Sequence, residues 1–337
     1  MAKLRLSFIS AFNERVDPLM NGTIHAEGIE IVPTYSHPSE TFWRQLKFQE
    51  FEVGEMSMSS YLIARERGFD MIALPVFPSR RLFHTELSYN IESGIKKPED
   101  LIGKRIGVGE YQQTAALWQR GILEHDFGVS QFKVHWYMER TEELSHGGAT
   151  GFTPPQGISF QRIPPDKSMA SMLVNGELDA AAISSPWKNM PNVIGRSHRI
   201  PGADGDWSKV KQLFSNRMAE GKRFFQKWGF LPVNHAYTIR GDIYKKYPWV
   251  AFNLYNGFVK AKALAREKLL DRIPAALFFG PEYAAMTRDM LGDDPFPYGT
   301  KANQAMLDTI IGFSHEQGLT ARPMRIEELF AESTLDL

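Results

Sequence analysis

The side chains best suited to chemistry gather at strand ends. In residues 51–86, FEVGEMSMSSYLIARERGFDMIALPVFPSRRLFHTE, Ser57, Ser59 and Ser60 follow one apolar run, and Ser79, Arg80, Arg81 and His84 follow another. Arginine presents a planar fork that matches a carboxylate, so Arg80 is the first choice for an anion clamp. Arg15, in the turn after the first strand, is the second. Arg81 reads better as a solvated or carbonyl-capping cation, and a solvated turn accounts for the whole 79–81 group equally well. One or two of the three serines are expected to face a ligand, while the others cap the helix that follows.

Acid–base work near neutrality draws on the 9 histidines. His84 and His235 each sit at the edge of an extended segment, with a histidine bonded to a backbone carbonyl as the plainer reading. Glu110 is a third candidate, beside its reading as a helix-dipole partner. The turn 110–114 leads from a strand into a helix, so its backbone N–H groups, Gln112 and Thr114 are candidates for a second carboxylate, or form an ordinary capped helix start. Ser184 and Trp187 close a later strand in the same manner. Trp187 and Tyr298 have rings able to stack on an aromatic ligand, whereas the spacing of Trp118 points to the core. The chain has no H-x-H, no H-E-x-x-H and no cysteine, and Gly107 and Gly109 lack the third glycine of a dinucleotide loop. A site without metal or cofactor is expected.

The elements that must position these groups alternate between strand and helix. Residues 3–10 alternate apolar and polar, 24–35 read as a second strand, and 71–76 as a short buried one ended by Pro75 and Pro78. Strands are also expected at 105–109, 134–138, 179–183 and 233–240. Helices are expected from about 113 (Ala115, Trp118 and Ile122 on one face), over 166–178, and from about 248, where Val250, Leu254, Phe258 and Ala261 recur at helical spacing. The Gly/Pro-rich stretch 145–157 reads as a loop, and 202–229 as polar and helical. Extended segments near 87–91 and 233–240 bracket a middle block with its own strands and helices. The expected architecture is α/β, with a discontinuous outer lobe (1–87 plus 236–337), an inserted inner lobe (88–235), hinge strands at the two crossings and a ligand cleft between lobes.

At 337 residues the chain fits two such lobes, and 43% hydrophobic content can fill both cores. The 39 basic residues balance 39 acidic ones, which argues against nucleic-acid or membrane-surface binding and makes any anion site a local feature. No apolar run approaches the roughly 20 residues of a membrane span. The first residues carry a strand pattern in place of a signal peptide, so a cytoplasmic location is expected. A homo-oligomer is left open.

The segments NERVDPLMNG, EMSMSSYLIARERG, ALPVFPSRRLFH, GKRIGVGEYQQTAALWQRG, IPPDKSMASMLVNGELDAA, KKYPWVAFNLYNGFVKAKA, DDPFPYG and SHEQGLTAR together resemble the 4,5-dihydroxyphthalate decarboxylase family, nearly end to end and in family order. That family lies within the superfamily of type II periplasmic solute-binding proteins. The resemblance implies a two-lobed fold of that type, each lobe a mixed sheet flanked by helices, and decarboxylation of a dihydroxylated aromatic dicarboxylate to protocatechuate, with a small aromatic carboxylate as the ligand. Two other readings stay open: a non-catalytic receptor or sensor for an aromatic acid, and an enzyme of the same superfamily acting on pyrimidine or thiamine-precursor chemistry.

Overall fold

The computed structural model describes residues 3–183 and 205–337. Among the described residues the strands are β1 (Leu4–Ser10), β2 (Ile29–Tyr35), β3 (Val53–Ser57), β4 (Met71–Leu74), β5 (Leu87–Asn90), β6 (Arg105–Val108), β7 (His135–Met138), β8 (Ser159–Arg162), β9 (Ala180–Ala182), β10 (Val210–Gln212) and β11 (His235–Arg240). The chain forms two compact units, one of Met1–Arg81, Phe225–Thr309 and Met324–Leu337, the other of Leu82–Phe224 and Ile310–Pro323. Residues 310–323, expected with the outer lobe, thus belong to the second unit.

The first unit is built on a mixed sheet in the order β2-β1-β3-β11-β4. β1 runs parallel to β2 and β3, whereas β11 runs antiparallel to β3 and β4. It follows that β1, β2, β3 and β4 all end on the same edge of the sheet, and β11 begins there. Side chains just after four strands and at the start of a fifth are therefore brought to one edge, although they are far apart in sequence. The 28-residue helix Trp249–Ala276 covers one face. Its Val250, Leu254, Phe258 and Ala261 are fully buried in a core with Leu6, Phe8 and Tyr237. The Tyr237 ring stacks on Phe258 with centroids 4.6 Å apart, and Phe8 meets both rings edge-on.

The second unit carries a mixed sheet in the order β10-β5-β9-β6-β7-β8. β9, β6, β7 and β8 are parallel, and β5 and β10 add antiparallel pairs at one side. The helix Thr114–Phe127 buries Trp118 edge-on against Phe313 at 5.6 Å, which places Trp118 in the core as its spacing implied. A Cβ added at Gly121 of that helix would meet Phe313 Cδ2 at 2.1 Å, so only glycine admits this approach. Both segments read as crossings are inner strands: β5 lies between β10 and β9, and β11 between β3 and β4.

Several local expectations are corrected. Stretch 145–157 contains a short helix, His146–Thr150, because the Ser145 hydroxyl accepts from Gly148 N–H at 3.2 Å and caps it. Strand β10 lies inside the segment read as helical, because Val210 pairs with Asn90 of β5, and only Arg217–Trp228 forms a long helix there. The helix expected over 166–178 is confined to Met169–Val174, capped by Ser168.

Candidate functional site

At the strand-end edge of the first sheet, β3 and β11 place Glu55 and His235 side by side. His235 Nδ1 lies 2.6 Å from Glu55 Oε1, and both side chains are buried. Glu55 also accepts from the Ala11 N–H at 2.9 Å and the Ser10 hydroxyl at 3.3 Å, both at the end of β1. Burial alone would raise the Glu55 pKa; the adjacent His235 ring and the Ala11 and Ser10 hydrogen bonds outweigh it and hold the carboxyl below its usual range. With Nδ1–H donated to a carboxylate, Nε2 is the ring nitrogen left to give or take a proton. Phe42 meets the imidazole edge-on at 4.7 Å and restricts its rotation.

The Tyr237 hydroxyl lies 2.8 Å from Ser10 Oγ. Its pKa is driven well above the tyrosine range by burial and by the Glu55 carboxylate, with Tyr298 adding to the effect and Ser10 and Arg15 opposing it. Ser57 pairs with His235 across the ladder, and its hydroxyl is 3.4 Å from that of Ser59. Ser60, in the first turn of the helix Met58–Glu66, has a buried hydroxyl with no protein partner.

Arg80 and Ser79 are stitched to the start of β11. Arg80 forms a bridge with Val233, and Ser79 O accepts from Asn234 N–H at 2.8 Å. The buried Arg80 guanidinium donates to Leu231 O and Pro297 O, both at 2.9 Å, and to Asn303 Oδ1. It is thus partly engaged by the protein's own carbonyls, and its Nε–H lacks a partner. Burial lowers its pKa to about 10. Arg15 donates to Pro78 O at 2.5 Å, has its guanidinium carbon 3.8 Å from the centroid of the Phe296 ring, and likewise keeps an unpartnered Nε.

The other expected residues lie in the second unit. Glu110 is fully buried and its carboxylate is consumed: Arg140 pairs with it, the N–H groups of His146 and Gly147 donate at 3.1 Å and 3.3 Å, and Ser145 Oγ donates at 3.3 Å. Arg140 and His146 outweigh the effect of burial and keep it ionised. A carboxylate so occupied anchors the start of the His146–Thr150 helix and is poorly placed to exchange protons, contrary to its reading as an acid–base group. Gln112 and Thr114 are buried beside it, at the start of the Thr114–Phe127 helix.

His84 also belongs to the second unit. It lies in the 3-10 turn Phe83–Glu86, enclosed by Phe214 and Phe224, with Nε2 2.7 Å from Glu220 Oε1. Arg223 grips the same carboxylate and Asp126. Ser184 and Trp187 lie outside the described residues. Among the described residues no group of three or more His, Cys, Asp or Glu is placed to hold a metal ion, and no helix is long and apolar enough to cross a membrane.

Sequence reasoning missed Ser10, Glu55 and Tyr237, and also Lys262, which donates at 2.6 Å to the carbonyl of Phe296, the residue whose ring Arg15 covers. Glu55 had a signal, since a carboxylate inside the apolar run of β3 must find a partner when buried. So did Lys262, which continues the stripe Val250, Leu254, Phe258 at intervals of four residues.

No family model matches the chain. It is 29% identical over 339 residues to a 4,5-dihydroxyphthalate decarboxylase of Comamonas testosteroni, covering 100% of this chain and 99% of that protein. To a 4,5-dihydroxyphthalate decarboxylase of Pseudomonas putida it is 34% identical over 215 residues, covering 62% of this chain and 83% of that protein. Among solved structures it resembles the periplasmic aliphatic sulphonate binding protein SsuA from Escherichia coli, with a TM-score of 0.52 at 14% identity over 98% of this chain and 92% of that one. The fold is thus that of the periplasmic binding proteins, as the sequence resemblance implied.

Proposed function

The chain belongs to the 4,5-dihydroxyphthalate decarboxylase family, and from that membership we propose that it removes one carboxylate from 4,5-dihydroxyphthalate, giving protocatechuate and carbon dioxide, with His235 as the proton donor. The observation that carries the role of His235 is its buried contact with Glu55 at the strand-end edge of the first sheet. In the step, the ring hydroxyl para to the leaving carboxylate gives up its proton as its oxygen pushes electrons into the ring. The carbon bearing that carboxylate takes a proton from His235 Nε2. The bond to the carboxylate then breaks, its electron pair restores aromaticity, and carbon dioxide leaves. Reprotonation of the oxygen completes the balance: one proton is consumed for each carboxylate lost.

Glu55 is a positioning residue in this scheme. It fixes the tautomer and orientation of the imidazole and supports the imidazolium that donates. The serine hydroxyls at 57, 59 and 60 are suited to the ring oxygens. The carboxylate that stays needs a cation, because tight pairing on the one that leaves would stabilise the ground state more than the transition state. The step is read as running on the chain's own side chains. A cytoplasmic location belongs to the same proposal and is checked by fractionating the host cells.

The test is incubation of purified protein with 4,5-dihydroxyphthalate while protocatechuate is followed by chromatography. Stoichiometric conversion is expected. Saturable binding without turnover of this or any related hydroxylated dicarboxylate would overturn the proposal in favour of a receptor.

A further inference from the structure

Three cations of the first unit converge on residues 293–299, DDPFPYG. Arg15 lies 3.8 Å over the Phe296 ring, and Arg80 donates to Pro297 O at 2.9 Å. Lys262 donates to Phe296 O at 2.6 Å and to Asp294, with its Nζ 4.5 Å from the centroid of the Tyr298 ring. Burial depresses the Lys262 pKa; Asp294 opposes this, and Arg80 and Arg15 add to it, so the three cations are close enough to repel one another.

Repulsion of this kind is costly to build, and Asp294 offsets one charge of the three. Three buried donors in the group also lack acceptors: Arg15 Nε, Arg80 Nε and the O–H of Tyr298, whose oxygen Arg15 approaches as a donor. Each is an N–H or O–H donor, so the missing partner is an acceptor, and the surplus of positive charge requires it to be anionic. Ser10 joins the Tyr237 hydroxyl, at 2.8 Å, to Glu55, at 3.3 Å, and Tyr298 and Arg15 lie near enough to Tyr237 to act on its pKa, so Tyr237 connects this group to the Glu55–His235 pair.

We propose that Arg15, Arg80, Lys262 and Tyr298 form a carboxylate subsite that holds the group retained on the ring while His235 protonates the carbon beside it; the identity of that carboxylate rests on the decarboxylase reading. The subsite explains why one carboxylate leaves and the second does not. In the dihydroxy monocarboxylate product the remaining carboxylate is the one held by the cations, away from the proton donor. The product therefore binds, and is not decarboxylated in turn.

The test is calorimetric titration of protocatechuate and of catechol, which has no carboxylate, into the wild type and into Arg15→Met, Lys262→Met and Tyr298→Phe, with melting temperatures and kinetics alongside. Arg80 is left in place because it also holds Leu231, Pro297 and Asn303. Protocatechuate affinity should fall by about tenfold or more in the two cation variants and by about threefold in Tyr298→Phe, with catechol unaffected. The KM for 4,5-dihydroxyphthalate should rise in step. Unchanged protocatechuate affinity in both cation variants overturns the subsite even if the wild type turns over. An equal loss for catechol also overturns it, because the effect would then be independent of the carboxylate. Cation-dependent binding of protocatechuate by a wild type that never decarboxylates sinks the decarboxylase reading and leaves the subsite standing.

Discussion

Two histidine–carboxylate pairs of almost the same length sit in different surroundings in the two units. His235 and Glu55 are 2.6 Å apart, and His84 and Glu220 are 2.7 Å apart. Around His84, Phe214 and Phe224 enclose the ring, Arg223 shares the carboxylate and pairs with Asp126, and the ring's Nδ1 is buried without a hydrogen-bond partner. That network ties the 3-10 turn Phe83–Glu86 to the helix Arg217–Trp228. Around His235 the carboxylate is held by neutral groups, Ala11 N–H and Ser10, at an edge where unpartnered donors collect. A hydrogen-bonded histidine is therefore no evidence of catalysis by itself. What differs is the surroundings of the second ring nitrogen: that of His84 is shut between two phenylalanines, whereas His235 opens its strand opposite Ser57, beside Ser59 and Ser60.

The largest separation between the pairs is expected in turnover. His235→Gln should lower kcat by about 10²–10⁴-fold with a melting temperature near that of the wild type; steady-state kinetics with thermal melts would show it, and full activity would move the proton donor elsewhere. Glu55→Gln keeps the shape but removes the charge that supports the imidazolium, so a loss of about 10–100-fold in kcat is expected. Protocatechuate affinity measured by titration should hardly change in that variant, and a purely structural glutamate would instead lower stability with kcat intact.

His84→Ala should reverse the pattern. It leaves a cavity between two phenylalanines and removes one partner of Glu220, at a cost of about 2–3 kcal/mol in stability measured by denaturant unfolding. Turnover per folded molecule should stay near wild type, and a selective loss of kcat would break the comparison. The smallest effect concerns acid. In Glu55 and Glu220 burial raises the pKa, but His235 in one case, and His84 with Arg223 in the other, outweigh it, so both carboxyls are held below the ordinary range. A carboxyl depressed by folding stabilises fully above its unfolded pKa of about 4.3 and loses that stabilisation as pH falls through the folded value. Stability should thus decline below about pH 4, and Glu220→Gln should flatten that decline when unfolding is followed against pH.

Much of the fold was legible locally. The alternation in β1, the apolar run of β4, the strand–turn–helix at 105–127 and the stripe of the Trp249–Ala276 helix all depend on periodicity, which neighbouring residues set by themselves. Strand β10 and the short His146–Thr150 helix were not legible, because each depends on a distant partner. Val210 becomes a strand residue by pairing with Asn90, and the first N–H groups of the short helix are satisfied by Glu110.

The same division runs through the site. Residue types alone single out Arg80, Arg15, His84, His235 and Glu110 as carriers of charge and protons, because a guanidinium, an imidazole and a carboxylate have those properties wherever they lie. Which of them retain unused capacity is set by the packing. Arg80 spends donors on three partners but keeps its Nε–H unused, Glu110 is saturated and His84 lies between two phenylalanines, whereas Glu55, 180 residues from His235, meets its imidazole. Hydrogen-bonding capacity and desolvation depend on neighbours in space. The strand order β2-β1-β3-β11-β4 is what brings those neighbours to one edge.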